Sequence, residues 1–415
     1  MDYRGKLVLA PMVRSGECPS RLLALKYGAD LVWGPETVDK SMIGTTRREN
    51  AVTKTVDFTR HSSNGTKNAA LDTDQRESII YRLHPEKEGR KHIFQIGTSN
   101  AETAVQAAKL IAPDVAGIDV NAGCPKPFST SGGMGAALLK TPETLCAILQ
   151  SLVSEVGVPN EIGISVKIRI LETTEETAAL VRRLVATGIT GLTVHCRTTP
   201  MRPRERAIRD QLRMVASICR DAGVACVMNG DVMSREEAIG LISEYGCDGA
   251  MIATAAETNP SVFRTQVEGG KAPWEEVVEE YVKTSIEVEN RWGNTKYLLN
   301  QMIPGRHDAH RAMTRTKSYV QLIKALKYDD DFLKLARDVD KTLEIGEHEK
   351  PKMTTAARKA ASKDKTFSRP TLEGFKQATA GVKRTADMAQ LDMPLDVARE
   401  AGPGSVQESA SILAT

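Results

Sequence analysis

A single cysteine, Cys124, is the residue of this sequence best placed to do chemistry. It lies in the run NAGCPK (residues 121–126), after an apolar segment and before the glycine-rich run SGGMGAALL (131–139). A thiol with an unperturbed pKa of about 8.5 is mostly protonated at neutral pH and can deliver a proton, whereas a cation such as Lys126 would favour the thiolate. A metal ligand would need partner ligands, and no Cys-x-x-Cys pair is present. The residues alone therefore leave Cys124 as a general acid or a nucleophile.

Basic and amide side chains close several other apolar runs. Lys167 and Arg169 alternate in VKIR (166–169), His195 lies in VHCR (194–197), and residues 227–231 read VMNGD. Each has a less specific explanation. Lys167 could be a barrel-interior lysine paired with a carboxylate, His195 a core histidine, and residues 229–231 an ordinary turn. Their common position at the ends of apolar runs is what indicates one shared site.

The apolar runs themselves predict eight strands. They are too uniformly apolar for half-exposed strands and are typical of strands buried on both faces, at residues 6–12, 30–35, 92–98, 117–122, 164–170, 191–196, 225–230 and 249–254. Helix-like segments follow them, three with the spacing of a capping box that starts at Ser99, Thr173 or Ser234. The connection over residues 37–91 is long enough for a short hairpin.

Eight β/α units in roughly 250 residues predict a (β/α)8 TIM barrel. A doubly wound open sheet is the main alternative. It would need a Gly-x-Gly-x-x-Gly turn after its first strand, and residues 11–16 (PMVRSG) do not supply one.

The carboxyl ends of the strands would surround the active site of such a barrel. These ends carry amide, ammonium and imidazole groups with one histidine and no carboxylate cluster, which argues against a metal hydrolase, and the lone Asp231 argues against a glycosidase. Small residues follow strands seven and eight, where barrels bind phosphate. Donors beside a phosphate site predict flavin mononucleotide (FMN), because a lysine or histidine would stabilise the reduced flavin anion.

The composition is that of an ordinary water-soluble protein. Of 415 residues 41% are hydrophobic and 26% charged, no apolar run is long enough to span a bilayer, and no secretory signal is visible. The seven cysteines occur singly, which favours a reducing compartment, the cytoplasm or alternatively the nucleus. We expect a monomer that binds neither metal nor membrane.

Three regions are predicted along the chain. Residues 1–260 form the barrel, 270–345 show helical spacing without a further strand, and 350–415 have the composition of a disordered tail. Residues 350–384 carry ten lysines and arginines against two acids, a balance of +8, and 385–415 carry one against five, a balance of −4. The tail is therefore basic and then acidic.

The motifs together resemble the signature of the tRNA-dihydrouridine synthases. The resemblance covers roughly residues 5–330 and depends above all on NAGCPK with GGMGAALL. The runs LAPMVR (9–14), FQIG (94–97), VKIR, VHCR, VMNGD and NTKY (294–297) support it. It looks most like the eukaryotic cytosolic branch that acts on uridine 20 of tRNA.

The resemblance implies tRNA as substrate, bound FMN and NADPH as reductant. Hydride would pass from flavin N5 to uracil C6, and Cys124 would be the general acid at C5. Asn121 and Arg169 are implied to grip a uracil that has left its stack. The residues implied to hold FMN are Pro11, Met12, Val13, Gln95, Lys167, His195, Asn229, Gly230, Asp231, Ala253 and Thr254.

Two clusters of positive charge are candidate contacts to tRNA phosphates. One is the basic tail, and the other lies just beyond strand six and contains Arg197, Arg202, Arg204, Arg206 and Arg209. A solvated loop or tail is the alternative for both.

The sequence departs from the family at two points. Relatives commonly carry an arginine where Thr254 stands, so the phosphate would depend more on backbone donors. The tail lacks the strand alternation of the double-stranded-RNA-binding domain that some animal members carry.

Two other functions remain as alternatives. The first is a flavin barrel that acts on free pyrimidines, such as a dihydroorotate-type dehydrogenase. The second is a tRNA-binding or folding module without turnover. The arginines and the helical region argue against the first, and an intact Cys124 argues against the second.

Overall fold

The computed structural model describes residues 1–61, 77–202 and 204–345. Its strands are β1 (Lys6–Leu9), β2 (Leu31–Trp33), β3 (Thr37–Val38), β4 (Thr46–Asn50), β5 (Thr55–His61), β6 (Glu77–Leu83), β7 (His92–Gly97), β8 (Gly117–Ala122), β9 (Gly163–Arg169), β10 (Gly191–His195), β11 (Ala225–Asn229) and β12 (Gly249–Ile252).

Eight parallel strands close into a barrel. Neighbouring strands pair in the order β1, β2, β7, β8, β9, β10, β11 and β12, and β12 pairs with β1 again, with Val8 opposite Met251. The TIM barrel is therefore confirmed, and the open sheet is excluded. All eight predicted strands are present, and seven of them end one to three residues earlier than predicted.

Helices cover the barrel and continue after it. They are α1 (Cys18–Lys26), α2 (Asp39–Met42), α3 (Pro85–Glu88), α4 (Ala101–Ile111), α5 (Pro127–Thr130), α6 (Pro142–Leu152), α7 (Val158–Asn160), α8 (Thr174–Val185), α9 (Leu212–Asp221), α10 (Arg235–Tyr245), α11 (Thr254–Thr258), α12 (Trp274–Glu287), α13 (Trp292–Met302), α14 (Asp308–Thr314), α15 (Tyr319–Leu326) and α16 (Asp330–Thr342).

The predicted helix starts are partly confirmed. Thr173 forms a full capping box with Glu176, and the Ser234 side chain caps α10. The prediction of Ser99 as a cap is wrong, because Asn100 caps α4 by accepting from the Thr103 N–H. An asparagine side chain satisfies a first-turn donor as well as a serine does, so spacing alone does not separate the two.

The long connection between β2 and β7 holds a three-stranded antiparallel sheet, β4–β5–β6. It is larger than the predicted short hairpin, and residues 62–76 between β5 and β6 lie outside the described residues. Buried ion pairs hold this sheet and the chain after it in place: Arg82 with Asp57, and Arg21 with Glu88, both at 2.6 Å.

The helices α12–α16 pack around a second hydrophobic core. This core also contains Leu23 of α1 and Tyr27, the residue that follows α1. The described residues fall in one compact unit. The boundary between a barrel domain ending at residue 260 and a helical domain starting at 270 remains a prediction. The predicted tail, 350–415, lies outside the described residues, and none of the described helices is long and apolar enough to cross a membrane.

Candidate active site

A cavity of about 420 Å³ opens at the carboxyl ends of the barrel strands. Eight of the eleven residues predicted to hold FMN line it, whereas Met12, Val13 and Gln95 do not. The lining residues are Ala10, Pro11, Lys167, Arg169, His195, Arg197, Asn229, Gly230, Asp231, Val232, Met233, Met251, Ala253 and Thr254. Arg169 on β9 and Arg197 just after β10 were both predicted to bind the substrate. Both line this cavity.

Strand register explains why these residues meet. Arg169, His195, Asn229 and Met251 lie opposite one another on four successive strands. The Asn229 amide donates to the Met251 carbonyl at 2.9 Å. After β11, Gly230 has a φ of +123°, and a Cβ there would come within 3.4 Å of the His195 ring. The positive φ is therefore what favours glycine at position 230.

His195 is a neutral imidazole in this cavity. Burial and then the charges of Lys167, Arg169 and Arg197 lower its pKa to about 2. Its Nε2 lies 3.2 Å from Nη1 of Arg197, and a guanidinium can only donate. Nε2 is therefore the acceptor, so the proton is on Nδ1, and His195 can donate one hydrogen bond from that nitrogen.

Lys167 supplies a positive charge whose pKa is lowered by its surroundings. It pairs in register with Asn121 on one side and Thr193 on the other. Burial, and then the charge of Arg169, lower its pKa to about 8, with Asp119 acting in the opposite direction. The ammonium form still prevails at neutral pH.

Asp231 is held by two arginines. Its carboxylate accepts from Arg197 and from the Ala207 N–H, and its carbonyl accepts from Arg209 at 2.8 Å. Although burial opposes the effect, the Arg197 and Ala207 hydrogen bonds hold the pKa of Asp231 below its usual value. The carboxylate thus orders the loops after β10 and β11.

Arg169 connects the cavity wall to the Cys124 loop. Its Nε donates to the Gly123 carbonyl at 2.8 Å, and its Nη1 donates to the Thr198 carbonyl at 2.7 Å. Asn121 Oδ1 accepts from the Gly123 and Cys124 N–H groups at 3.0 and 3.1 Å. Both residues predicted to grip uracil therefore also position Cys124 in this structure.

Cys124 itself is half-buried next to that wall. Burial raises the pKa of its thiol, the Lys126 backbone N–H lowers it, and the charge of Glu36 raises it again. The net effect is upward, which favours the thiol over the thiolate. Five of the other cysteines are buried, and Cys146 is partly buried on α6.

The glycine-rich turn packs against the Cys124 loop. Gly135 has a φ of +58°, and a Cβ there would lie 2.5 Å from the Cys124 carbonyl oxygen. That oxygen accepts from the Ala136 N–H at 2.9 Å. The close approach predicted for this turn is thus an approach to Cys124, and only glycine permits it at position 135.

Four polar residues near the site were missed by the sequence reasoning. Glu36 follows β2, Ser129 lies in α5, and Asp119 and Ser165 lie inside β8 and β9. Glu36 had a visible signal, since it is a carboxylate three residues after a strand end. Asp119 and Ser165 become a pair only through register, where Ser165 donates to Asp119 at 2.7 Å.

The cavity suits a flat anionic ligand such as FMN. Three cations, Lys167, Arg169 and Arg197, line it with one carboxylate, Asp231, and the neutral polar side chains of His195 and Asn229; most of the remaining wall is small or apolar. The donor set thus fits both a phosphate and an electron-rich ring edge. Within the described residues, no group of three or more His, Cys, Asp or Glu side chains could hold a metal ion.

The arginines beyond β10 divide into two groups. Arg197 is buried and Arg209 partly buried, and both hold Asp231. Arg202, Arg204 and Arg206 are exposed. Of the predicted cluster, these three are the ones available to a large anionic partner.

A closed parallel barrel with a cationic cavity and an adjacent thiol defines a class of TIM-barrel protein suited to an anionic ring cofactor. Within that class, the chain belongs to the dihydrouridine synthase (Dus) family, which matches residues 8–353.

Relatives in two yeasts are similar over most of the chain. It is 46% identical over 334 residues to the tRNA-dihydrouridine(20) synthase [NAD(P)+] of Schizosaccharomyces pombe, covering 79% of this chain and 66% of that protein, slightly under two thirds. It is 44% identical to the Saccharomyces cerevisiae protein of the same name, covering 80% and 85%. Similarity to the human tRNA-dihydrouridine(20a/20b) synthase [NAD(P)+]-like protein is lower, at 28% identity, covering 63% of this chain and 73% of that protein. The resemblance to the position-20 branch is thus confirmed.

Proposed function

We propose that this protein is an FMN-dependent tRNA-dihydrouridine synthase that reduces the uracil C5–C6 bond of uridine 20, with NADPH as reductant. The names of the two yeast relatives support the reaction, the position and the nicotinamide reductant. The observation that carries the proposal is structural: Arg169 lines the cationic cavity and at the same time holds the loop of Cys124.

The residues that would hold FMN are those of the cavity wall. Lys167 supplies an ammonium group and His195 an Nδ1–H donor, and both types of group suit an electron-rich ring edge. Pro11, Ala253 and Thr254 bound the other side of the cavity. Bound FMN supplies hydride chemistry at uracil C6.

Cys124 would supply the proton at uracil C5. A general acid must carry its proton at working pH, and burial raises the pKa of this thiol. Asn121 and Arg169 orient the acid through the Gly123 and Cys124 backbone. The exposed Arg202, Arg204 and Arg206 would contact tRNA phosphates, as proposed for the loop after β10.

The decisive experiment compares Cys124→Ala with Cys146→Ala in the full chain. Cys146 is the matched control, because it is also a partly buried free thiol but lies on the outer helix α6. We expect the purified protein to show a flavin spectrum and the unmodified chain to form dihydrouridine in tRNA.

Cys124→Ala should retain FMN and NADPH oxidation but lose dihydrouridine formation, and Cys146→Ala should keep all three. Dihydrouridine formation at the full rate by Cys124→Ala would remove Cys124 from the reaction. A colourless protein that does not take up FMN and leaves tRNA unmodified would contradict the enzyme function and support a tRNA-binding module. Cytoplasmic or nuclear location and a monomeric state remain predictions.

A further inference from the structure

Glu36 is a partly buried carboxylate at the carboxyl end of β2, on the side of the barrel that holds Cys124. Its Oε1 accepts a hydrogen bond from Ser129 Oγ at 3.1 Å. At the end of β7, a Cβ on Gly97 would lie 2.5 Å from the same oxygen. Glycine at position 97 therefore leaves the room that the carboxylate occupies.

Ser129 and Cys124 border the same small space. A Cβ added at Gly135 would overlap Ser129 Oγ and would lie 3.2 Å from Cys124 Cβ. Burial raises the pKa of the Glu36 carboxyl, whereas the polar groups of Ser129, Asn121 and Cys124 act to lower it. Glu36 is thus hydrogen-bonded to Ser129, which borders the thiol, and its charge acts on Cys124.

The other charges that face Cys124 are positive. The charges of Arg169 and Lys167 act on it from β9, and the Lys126 backbone N–H and the Ser129 hydroxyl also lower the pKa of the thiol. Each of these groups favours a thiolate. Glu36 supplies the negative charge that opposes them, and it comes from a different strand.

We propose that Glu36, held by Ser129, is a positioning residue that keeps Cys124 in its protonated thiol form. The Glu36 carboxylate offsets the charges of Lys167 and Arg169, so that the sulfur does not lose its proton to their field. Burial of Cys124 acts in the same direction. The catalytic consequence of this role rests on the proposed function, but the role itself concerns the thiol alone.

The test is the pH dependence of Cys124 alkylation by iodoacetamide, which reacts with the thiolate. The rate is followed for the peptide that contains Cys124 by mass spectrometry, using the full chain as purified. Glu36→Gln keeps the size and hydrogen-bonding capacity of the side chain but removes its charge. We expect the midpoint of the pH profile to fall by about one unit, which equals about tenfold faster alkylation near pH 7.

Glu143→Gln is the matched control, because Glu143 is an exposed glutamate on α6 that also loses a charge. It should leave the midpoint unchanged. Glu36→Asp restores the charge on a shorter side chain and should return the midpoint most of the way. An unchanged or raised midpoint in folded Glu36→Gln would overturn the proposal, as would equal shifts in Glu36→Gln and Glu143→Gln.

Glu36→Ala provides an independent variant should Glu36→Gln fail to fold. It also removes the charge of the side chain and should lower the midpoint by a similar amount, about tenfold in rate near pH 7. A midpoint equal to that of the unmodified chain would overturn the proposal.

Alkylation requires neither tRNA nor turnover, so the outcomes separate. A shifted midpoint in a protein that forms no dihydrouridine would support Glu36 and contradict the proposed function. An unshifted midpoint in an enzyme that forms dihydrouridine would contradict the role of Glu36 and support the proposed function.

Discussion

Gln95 Nε2 donates a hydrogen bond of 2.8 Å to Asp119 Oδ2, across the neighbouring strands β7 and β8. Ser165 on β9 donates to the other carboxylate oxygen at 2.7 Å, so three residues at matching register form one buried polar row. Because an ionised carboxylate only accepts, the Gln95 amide must turn its nitrogen to Asp119 and keep its oxygen for another donor. Asp119 therefore sets the orientation of Gln95, a predicted cofactor residue that is not among the residues lining the cavity.

Asp119→Asn should change how stability depends on pH. Burial raises the pKa of Asp119 to about 6, against the hydrogen bonds from Ser165 and Gln95. The folded state thus holds this proton more tightly than the unfolded state, whose value is about 3.9, and the stability from this group is lost as pH rises between those values. Relative to the unmodified chain, the free energy of unfolding of the variant should improve from pH 4 to pH 7. Urea unfolding at several pH values measures this; a constant difference would contradict it.

Lys167→Met should weaken FMN binding at pH 7 by about tenfold or more, because a charge-assisted hydrogen bond is lost. The pKa of Lys167 is lowered to about 8 by burial and by Arg169, so FMN affinity of the unmodified chain should fall above pH 8, while that of the variant should not. Quenching of FMN fluorescence by the apoprotein at pH 7 and pH 9 gives both affinities. Lys109→Met, at an exposed ion pair on α4, is the control. Equal affinities would exclude Lys167 as a cofactor contact.

Glu88→Gln should destabilise the protein by about 3–5 kcal/mol, because it leaves a buried guanidinium without its counter-ion. Arg21 and Glu88 are each 1% exposed and lie 2.6 Å apart. Although burial alone would raise it, Arg21 and His92 hold the pKa of Glu88 well below its usual range. Thermal and urea unfolding measure the loss, and Glu86→Gln, two residues away and exposed, should change stability by less than about 0.5 kcal/mol. Similar losses in the free energy of unfolding for Glu88→Gln and Glu86→Gln would contradict this role of the buried ion pair.

Replacing Arg202, Arg204 and Arg206 together by alanine should weaken tRNA binding. Each lost phosphate contact lowers the slope of log affinity against log salt by about 0.7–0.9, so a change of about 2–3 is expected. Fluorescence anisotropy of labelled tRNA at several salt concentrations gives the slope. The control removes as many exposed cations from the outer helices, at Lys109, Arg182 and Arg220. If the two triple variants have the same slope, this loop does not contact tRNA.

The barrel could be predicted from the sequence because its strands are buried on both faces. β8, Gly117–Ala122, was expected with the same bounds, since an apolar run ends there at a polar residue and a glycine. The strand ends then brought Lys167, His195 and Asn229 to one cavity. Periodicity and strand order were sufficient for this part of the site.

The remaining part depends on contacts that sequence distance hides. Glu36 and Ser129 are 93 positions apart and meet only because β2 and β8 end on the same side of the closed barrel. The hydrogen bond between Gln95 and Asp119 requires the register of two strands, which no local pattern specifies. The roles of Asn121 and Arg169 in holding the Cys124 loop likewise follow from backbone geometry, not from residue type.

Helix α1 belongs to two hydrophobic cores at once. Ala24 packs in the barrel core, whereas Leu23 and Tyr27 pack with the helices α12–α16. A chain cut between residues 260 and 270 would therefore leave an apolar stripe on α1 exposed to water. In evolutionary terms, exchange of the helical region between related enzymes would have to carry matching substitutions in α1, which lies far earlier in the chain.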